Sequence, residues 1–301
     1  MTYNLKAIKQ EFKEKWIFYT EEKLARLMKS YIDIDISEVY DPTCWDWWLL
    51  SVFDDEIIKY WQEINKSQLD IAIERLSNFT WACWDTIQKP AFIEKKFSCI
   101  MANPPFSIKW DNSIHDIRFD WFPCKPPKSK ADYAFIAHIL HYLSDDWIAI
   151  VLNFPWILYR SQSEWLIRKY IIEKNYIEKV IRIPWKYFVD TNIETCLIIF
   201  RKNKTHTNIE FIDIEKNKSH IATLKEIIEN DYVLSVNRFI KDDIFFEKKD
   251  PIEMQSNARS NMIRKMKSDI EIDKMICTME WLNFKEYIDQ IQDLLNLYKS
   301  K

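Results

Sequence analysis

The chain has 301 residues, 48% hydrophobic and 30% charged, with a formal net charge of −3. A chain of this length suits one large domain or a domain plus an appendage, and its slight acidity argues against a stand-alone nucleic-acid binder. No apolar run reaches the roughly 18–20 residues of a membrane span. The opening MTYNLKAIKQEFKEK does not read as a signal peptide, and the six cysteines form no CxxC pair, so a cytoplasmic protein with reduced thiols is expected.

In chain order, charged helical patterns come first, at 4–15 and 20–32, the second opened by Thr20 as an N-cap before EEKLARLMKSYI. Short apolar runs then alternate with helical patterns. Strands are expected at 38–41, 59–64, 79–85, 98–103, 147–153, 177–183 and 194–202, and helices near 47–57, 66–77, 131–143 and 161–174. That alternation predicts an α/β fold, a mixed but mostly parallel sheet with helices on both faces and an antiparallel pair at its end. Ligands of such sheets bind beyond the carboxyl ends of the strands. The polar segment 107–130 holds three prolines and reads as a long functional loop. A charged helical tail is expected over 251–301, with Ile288, Ile291, Leu295 and Tyr298 on one face. The division is therefore a helical segment at 1–33, an α/β domain at 34–250, and a tail able to dock a partner.

The composition holds 14 Trp and no Gly, where average usage of about 7% would give roughly 21 glycines. Only Gly takes φ > 0 cheaply in turns and at helix ends. The tryptophans fall at such places. Trp147 follows Ser-Asp-Asp just before IAIVLN, Trp185 follows Ile-Pro at a strand end, and Trp16 separates a charged helix from an extended stretch. DPTCWDWWLL, at 41–50, puts three in one turn. Core tryptophans would follow the strand or helix period, whereas most of these stand at element boundaries. Trp therefore reads as standing for Gly, as when a codon such as UGA means glycine in the source organism. A genuinely Trp-rich core is the alternative.

The strongest chemical signal is IMANPPFSIKW at 100–110, an apolar strand running directly into Asn103-Pro104-Pro105-Phe106. Each proline fixes its own φ and extends the residue before it, so the loop is stiff. An isolated Asn-Pro-Pro is often an ordinary turn. Here it has a use: an Asn side-chain carbonyl and the Pro104 carbonyl can accept the two hydrogens of an adenine amine, turning its lone pair towards an incoming methyl group. Phe106 can stack on a base flipped out of the duplex.

With its surroundings, this stretch resembles the amino-methyltransferases that modify adenine N6 in DNA, above all the methylation subunits of type I restriction–modification systems. Reading Trp as Gly strengthens the likeness in DPTCWDWWLL, KWIFYT, YWQEIN, CWDT and SEWLIRKYIIE; PPKSKADYAFIAHIL shows it unchanged. The resemblance spans about 11–238. It implies a Rossmann-like class I S-adenosylmethionine-dependent methyltransferase, with 34–250 as the catalytic domain and Asn103, Pro104, Pro105 and Phe106 as the catalytic loop. It further implies Phe18, Tyr19 and Thr20 over the methionine end of the cofactor and Asp41 and Thr43 at its ammonium group. Glu63 would hold the ribose hydroxyls and Asp85 the adenine amine, with glycines expected at Trp45, Trp47 and Trp48. The implied partners are DNA, a separate specificity subunit and a restriction subunit, with no membrane. Only 17 residues precede Phe18, where the family carries a helical domain.

Other readings stay open on the residues alone. The same fold methylates RNA adenine or protein glutamine, and a non-catalytic assembly subunit follows if the tryptophans are genuine. His138 and His141 read as surface or helix-face residues rather than metal ligands. Lys125, Lys128 and Lys130 read equally as a solvated loop or as phosphate contacts.

Overall fold

A computed structural model describes residues 22–45, 47–187, 194–241, 251–279 and 284–299. The chain divides into two compact units between Asp242 and Asp243. The strands of the first unit are β1 (Glu38–Asp41), β2 (Ile58–Gln62), β3 (Phe79–Ala82), β4 (Phe97–Ala102), β5 (Leu143–Asn153), β6 (Ile177–Ile183), β7 (Thr195–Arg201), β8 (Ile209–Asp213) and β9 (Lys218–Ala222). They form one sheet in the order β3-β2-β1-β4-β5-β7-β6-β8-β9. Pairing is parallel from β3 to β5 and between β6 and β8. It is antiparallel where β7 inserts between β5 and β6, and between β8 and β9.

The helices of this unit are α1 (Glu22–Lys29), α2 (Trp48–Ser51), α3 (Lys66–Arg75), α4 (Ile117–Asp120), α5 (Asp132–Tyr142), α6 (Ser163–Glu173), α7 (Leu224–Glu229) and α8 (Val236–Phe239). The second unit contains α9 (Pro251–Met279) and α10 (Phe284–Lys299), and the expected tail helix falls within them.

The central strands are apolar without alternation because both faces are covered. Every residue of β4, FSCIMA, is buried. Along β5, Ala149 and Val151 join one core cluster and Ile148, Ile150 and Leu152 the other, so successive side chains serve opposite faces. Helix α5 is buried on nearly all sides, as its DYAFIAHILHY sequence requires. Each fully buried Ile, Leu, Val or Phe contributes about 1.5–3 kcal/mol.

Two expected strands, 38–41 and 177–183, match to the residue, and those at 98–103 and 194–202 match within one at each end. Others are shorter: β2 ends at Gln62 and β3 at Ala82, which leaves Glu63 and Asp85 on the loops beyond. The helix expected over 47–57 stops at Ser51. Past that point Lys29 Nζ donates to the Val52 carbonyl at 2.7 Å, and Lys59 Nζ to the carbonyls of Asp54 and Ile57 at 2.9 and 3.2 Å. The sheet does not end at 202, since β8 and β9 extend it. No described helix is long and apolar enough to cross a membrane.

Candidate active site

The chain leaves β1 outward to β2 and β3, then crosses to β4 on the other side. Such a reversal opens a crevice beyond the carboxyl ends of the two strands at the switch, here β1 and β4. A cavity of about 150 Å³ lies there, and Asp41, Thr43, Trp45, Glu63, Asp85, Asn103, Pro104, Pro105 and Phe106 all border it. Trp47 and Trp48 do not. They stack on each other at 4.1 Å at the start of α2, with the Arg75 guanidinium 5.4 Å above the Trp47 ring. Phe18, Tyr19 and Thr20 lie outside the described residues.

The carboxylates differ in their partners. Asp41 is 1% exposed; its Oδ1 accepts the Thr43 N–H at 2.9 Å, and its Oδ2 is buried with no partner among the described residues. Burial pushes this carboxyl up to about 8; the Thr43 hydrogen bonds oppose the rise and the Glu63 charge adds to it. Glu63 Oε2 accepts the Trp45 N–H at 2.8 Å and Oε1 the Asn65 N–H at 2.7 Å. Burial raises its pKa too, against those same bonds. Asp85 Oδ1 accepts from the N–H groups of Ile87 and Gln88 at 2.8 and 3.0 Å. Each carboxylate oxygen has two lone pairs, so Glu63 and Asp85 keep accepting capacity. An unpaired buried carboxylate oxygen suits a cation, and the set suits a ligand carrying an ammonium group, hydroxyls and an amine.

At the mouth of β4, Phe106 is 1% exposed and packs at a tilt on Phe154, ring centroids 4.3 Å apart. Trp45 has φ of 39°, the left-handed region that favours glycine.

Sequence reasoning missed the cavity's supports. Arg118, 2% exposed, binds Asp116, donates to the carbonyls of Thr86 and Ile87 at 2.8 and 2.6 Å, and reaches His138 Nδ1 at 2.8 Å. His138 is not a surface group; it is fully buried, and burial pushes its pKa well down, with Arg118 adding to the effect. Lys125 donates to the carbonyls of Asn112 and Ile114 at 3.2 and 2.9 Å, within its own loop. Asp132, 1% exposed at the start of α5, pairs with Arg160 at 3.3 Å, and an acid at a helix start is its readable signal in the sequence.

The family model described as N-6 DNA Methylase matches residues 3–221. The methylase subunit of type I restriction enzyme MpnII from Mycoplasma pneumoniae is 27% identical over 315 aligned positions, covering 92% of this chain and 56% of that protein. The HindI methylase subunit of Haemophilus influenzae is 31% identical, over 49% of this chain and 33% of that protein. The chain thus spans about half the length, or less, of these relatives. Among solved structures, the type I restriction–modification methyltransferase subunit of Streptococcus thermophilus aligns with a TM-score of 0.69 at 28% identity, covering 74% of this chain and 59% of the other. A class I S-adenosylmethionine-dependent methyltransferase structure from Listeria monocytogenes, 15% identical with a TM-score of 0.50 over 61% and 59% of the two chains, shares the fold. The sheet order, the Asn-Pro-Pro-Phe loop at its switch point and a match over most of the chain together show a class I methyltransferase fold, and the chain belongs to the N-6 DNA Methylase family.

Proposed function

We propose that this chain transfers a methyl group from S-adenosylmethionine to adenine N6 in DNA, as the modification subunit of a type I restriction–modification assembly. A separate specificity subunit would choose the site, and a restriction subunit would accompany it. The observation that carries the reading is one cavity bordered both by Asn103-Pro104-Pro105-Phe106 and by Asp41, Glu63 and Asp85 from three successive strand exits. The relatives' names as type I methylase subunits support it.

Bound there, the cofactor supplies an electrophilic methyl group. Asp41 would hold its ammonium group through Oδ2, which has no partner among the described residues, with Thr43 fixing the carboxylate. Glu63 would accept from the ribose and Asp85 from the adenine amine, with Phe18, Tyr19 and Thr20 over the methionine end. Asn103 and the Pro104 carbonyl would orient the target amine, and Phe106 would meet the flipped base.

The reading includes glycine in place of Trp45, Trp47 and Trp48. At 45 two facts support it. The backbone takes a φ of 39°, and the indole borders a cavity of about 150 Å³, below the roughly 300–1,000 Å³ usual for small-molecule sites.

The test is methylation sequencing of host DNA carrying the glycine-decoded gene and a neighbouring specificity gene. N6-methyladenine should appear at one defined sequence, and only with both genes. Asn103→Ala should abolish it while cofactor affinity stays within about threefold, because the Asn103 contact acts mainly in the transition state. Undiminished methylation in Asn103→Ala would move the active site elsewhere.

A further inference from the structure

Ser107 follows Phe106 with φ of 53°, a left-handed conformation that a non-glycine residue keeps only when its surroundings enforce it. Its N–H donates to Asp132 Oδ1 at 3.2 Å, and its hydroxyl accepts from Arg160 Nη2 at 2.8 Å. The other arm of that guanidinium, Nη1, donates to Asp132 Oδ2 at 3.3 Å and to Glu164 Oε1 at 3.2 Å. The guanidinium also lies 5.2 Å from the centre of the Trp156 ring. Three segments therefore meet on one side chain: the loop after β4, the start of α5, and the turn from β5 into α6.

The meeting point is largely dry. The side chains of Asp132, Glu164 and Arg160 are 0, 5 and 15% exposed. Charge-assisted bonds in such a place are shorter and stronger than neutral ones, and a planar fork fixes direction as well as distance. Asp132 holds the backbone of Ser107 while Arg160 holds its side chain, so the residue directly after the loop cannot swing without breaking both.

We infer that Arg160 is a positioning residue for methyl transfer: through Ser107 it sets where the Asn103-Pro104-Pro105-Phe106 loop stands beside the cavity. The inference rests on the function proposed above. Arg160 does not touch the reacting atoms; it acts through the placement of the Asn103 and Pro104 carbonyls.

Two variants separate placement from mere stability. Arg160→Lys keeps a positive charge beside Asp132 and Glu164 but cannot reach them and Ser107 with a planar fork. Ser107→Ala leaves the ion pairs intact and deletes the hydroxyl. In the full chain with its specificity subunit, Arg160→Lys should lower kcat about 10- to 100-fold, the scale of a misplacement near 1 Å, with KM for S-adenosylmethionine within about twofold. Ser107→Ala should shift kcat the same way by a smaller factor. Both should keep the melting temperature within a few degrees. Hydrogen exchange reads the clamp without any turnover, and the amides of Phe106 and Ser107 should exchange faster in both variants. Unchanged exchange at those amides would overturn the inference even if the parent chain methylated nothing, a result that would count separately against the proposed function. A kcat unchanged in both variants, or one falling only in step with cofactor affinity, would also overturn it.

Discussion

A carboxyl group pushed up to about 8 by burial, as Asp41 is, remains mostly protonated at neutral pH. An ammonium group can pair with it only after that proton leaves. Cofactor binding below about pH 8 should therefore release up to one proton, and affinity should rise about tenfold per unit between pH 6 and 8 before levelling off. Calorimetry in buffers of different ionisation enthalpy measures the release directly, and an affinity flat across that range would dissociate Asp41 from the ammonium. The same shift acts on the ligand-free fold. Asp41 has a higher pKa folded than unfolded, where about 3.9 is usual, so its contribution to stability is full at low pH and is lost as pH rises towards about 8. Asp41 Oδ2, without a partner among the described residues, points to the same conclusion from geometry, since a native fold seldom leaves such an atom unused.

At the scale of elements, Arg118 ties α4 to the turn after β3 and, through His138, to β1. A guanidinium only donates, so His138 Nδ1 must accept and its proton must sit on Nε2, which then donates to the Tyr40 hydroxyl at 3.1 Å. Thr86 adds a hydroxyl bond to the Pro42 carbonyl, which joins the loops after β3 and β1 across the cavity. Arg118→Ala would strip the half-buried Asp116 of its ion pair, leaving it only the residue-118 N–H, and would leave two buried carbonyls without this donor. It should cost about 3 kcal/mol in denaturant unfolding, with weaker cofactor binding as Asp85 and Thr86 lose their support. A loss below about 1 kcal/mol would show that the knot is not a keystone. This knot also marks the limit of what the sequence discloses. The buried central strands announce themselves as apolar runs, and the Asn-Pro-Pro-Phe loop by its stiffness. Strands β8 and β9 do not, because half of their residues face outward and polar groups break the run. Arg118 and Arg160 join partners 20–53 positions away in the chain, and no local pattern encodes such a pairing. The 47–57 helix failed for a related reason: lysines distant in the chain or beyond the turn took the carbonyls it needed.

Across the whole molecule, a chain of 301 residues without glycine must place other residues wherever the backbone turns left-handed. Among the described residues Asn78, Asn175, Asn217 and Asp231 do so, and Asn and Asp tolerate that region best after Gly. Phe92, Tyr232 and Trp45 share it with large rings, and Trp45 adds an indole at the cavity wall. Trp81, Trp84 and Trp185 leave 45, 45 and 51% of their surface in solvent, which gives a core role little support. Trp61 counts the other way: it is fully buried and stacks on Phe79 at 4.9 Å, and glycine there would leave a space that the surroundings only partly close. The decoding proposal thus separates by position, and peptide mass spectrometry of the protein from its native source resolves it position by position. Glycine is expected at 45, 47 and 48. The chain made with tryptophan at 45 should bind S-adenosylmethionine poorly, because that indole, at the cavity wall, brings about 150–250 Å² of surface to a place that backbone and ligand would share. Tryptophan masses at 45 in the native protein, or tight calorimetric binding by the tryptophan chain, would rule out glycine there and leave the Trp45 side chain a real wall of the site.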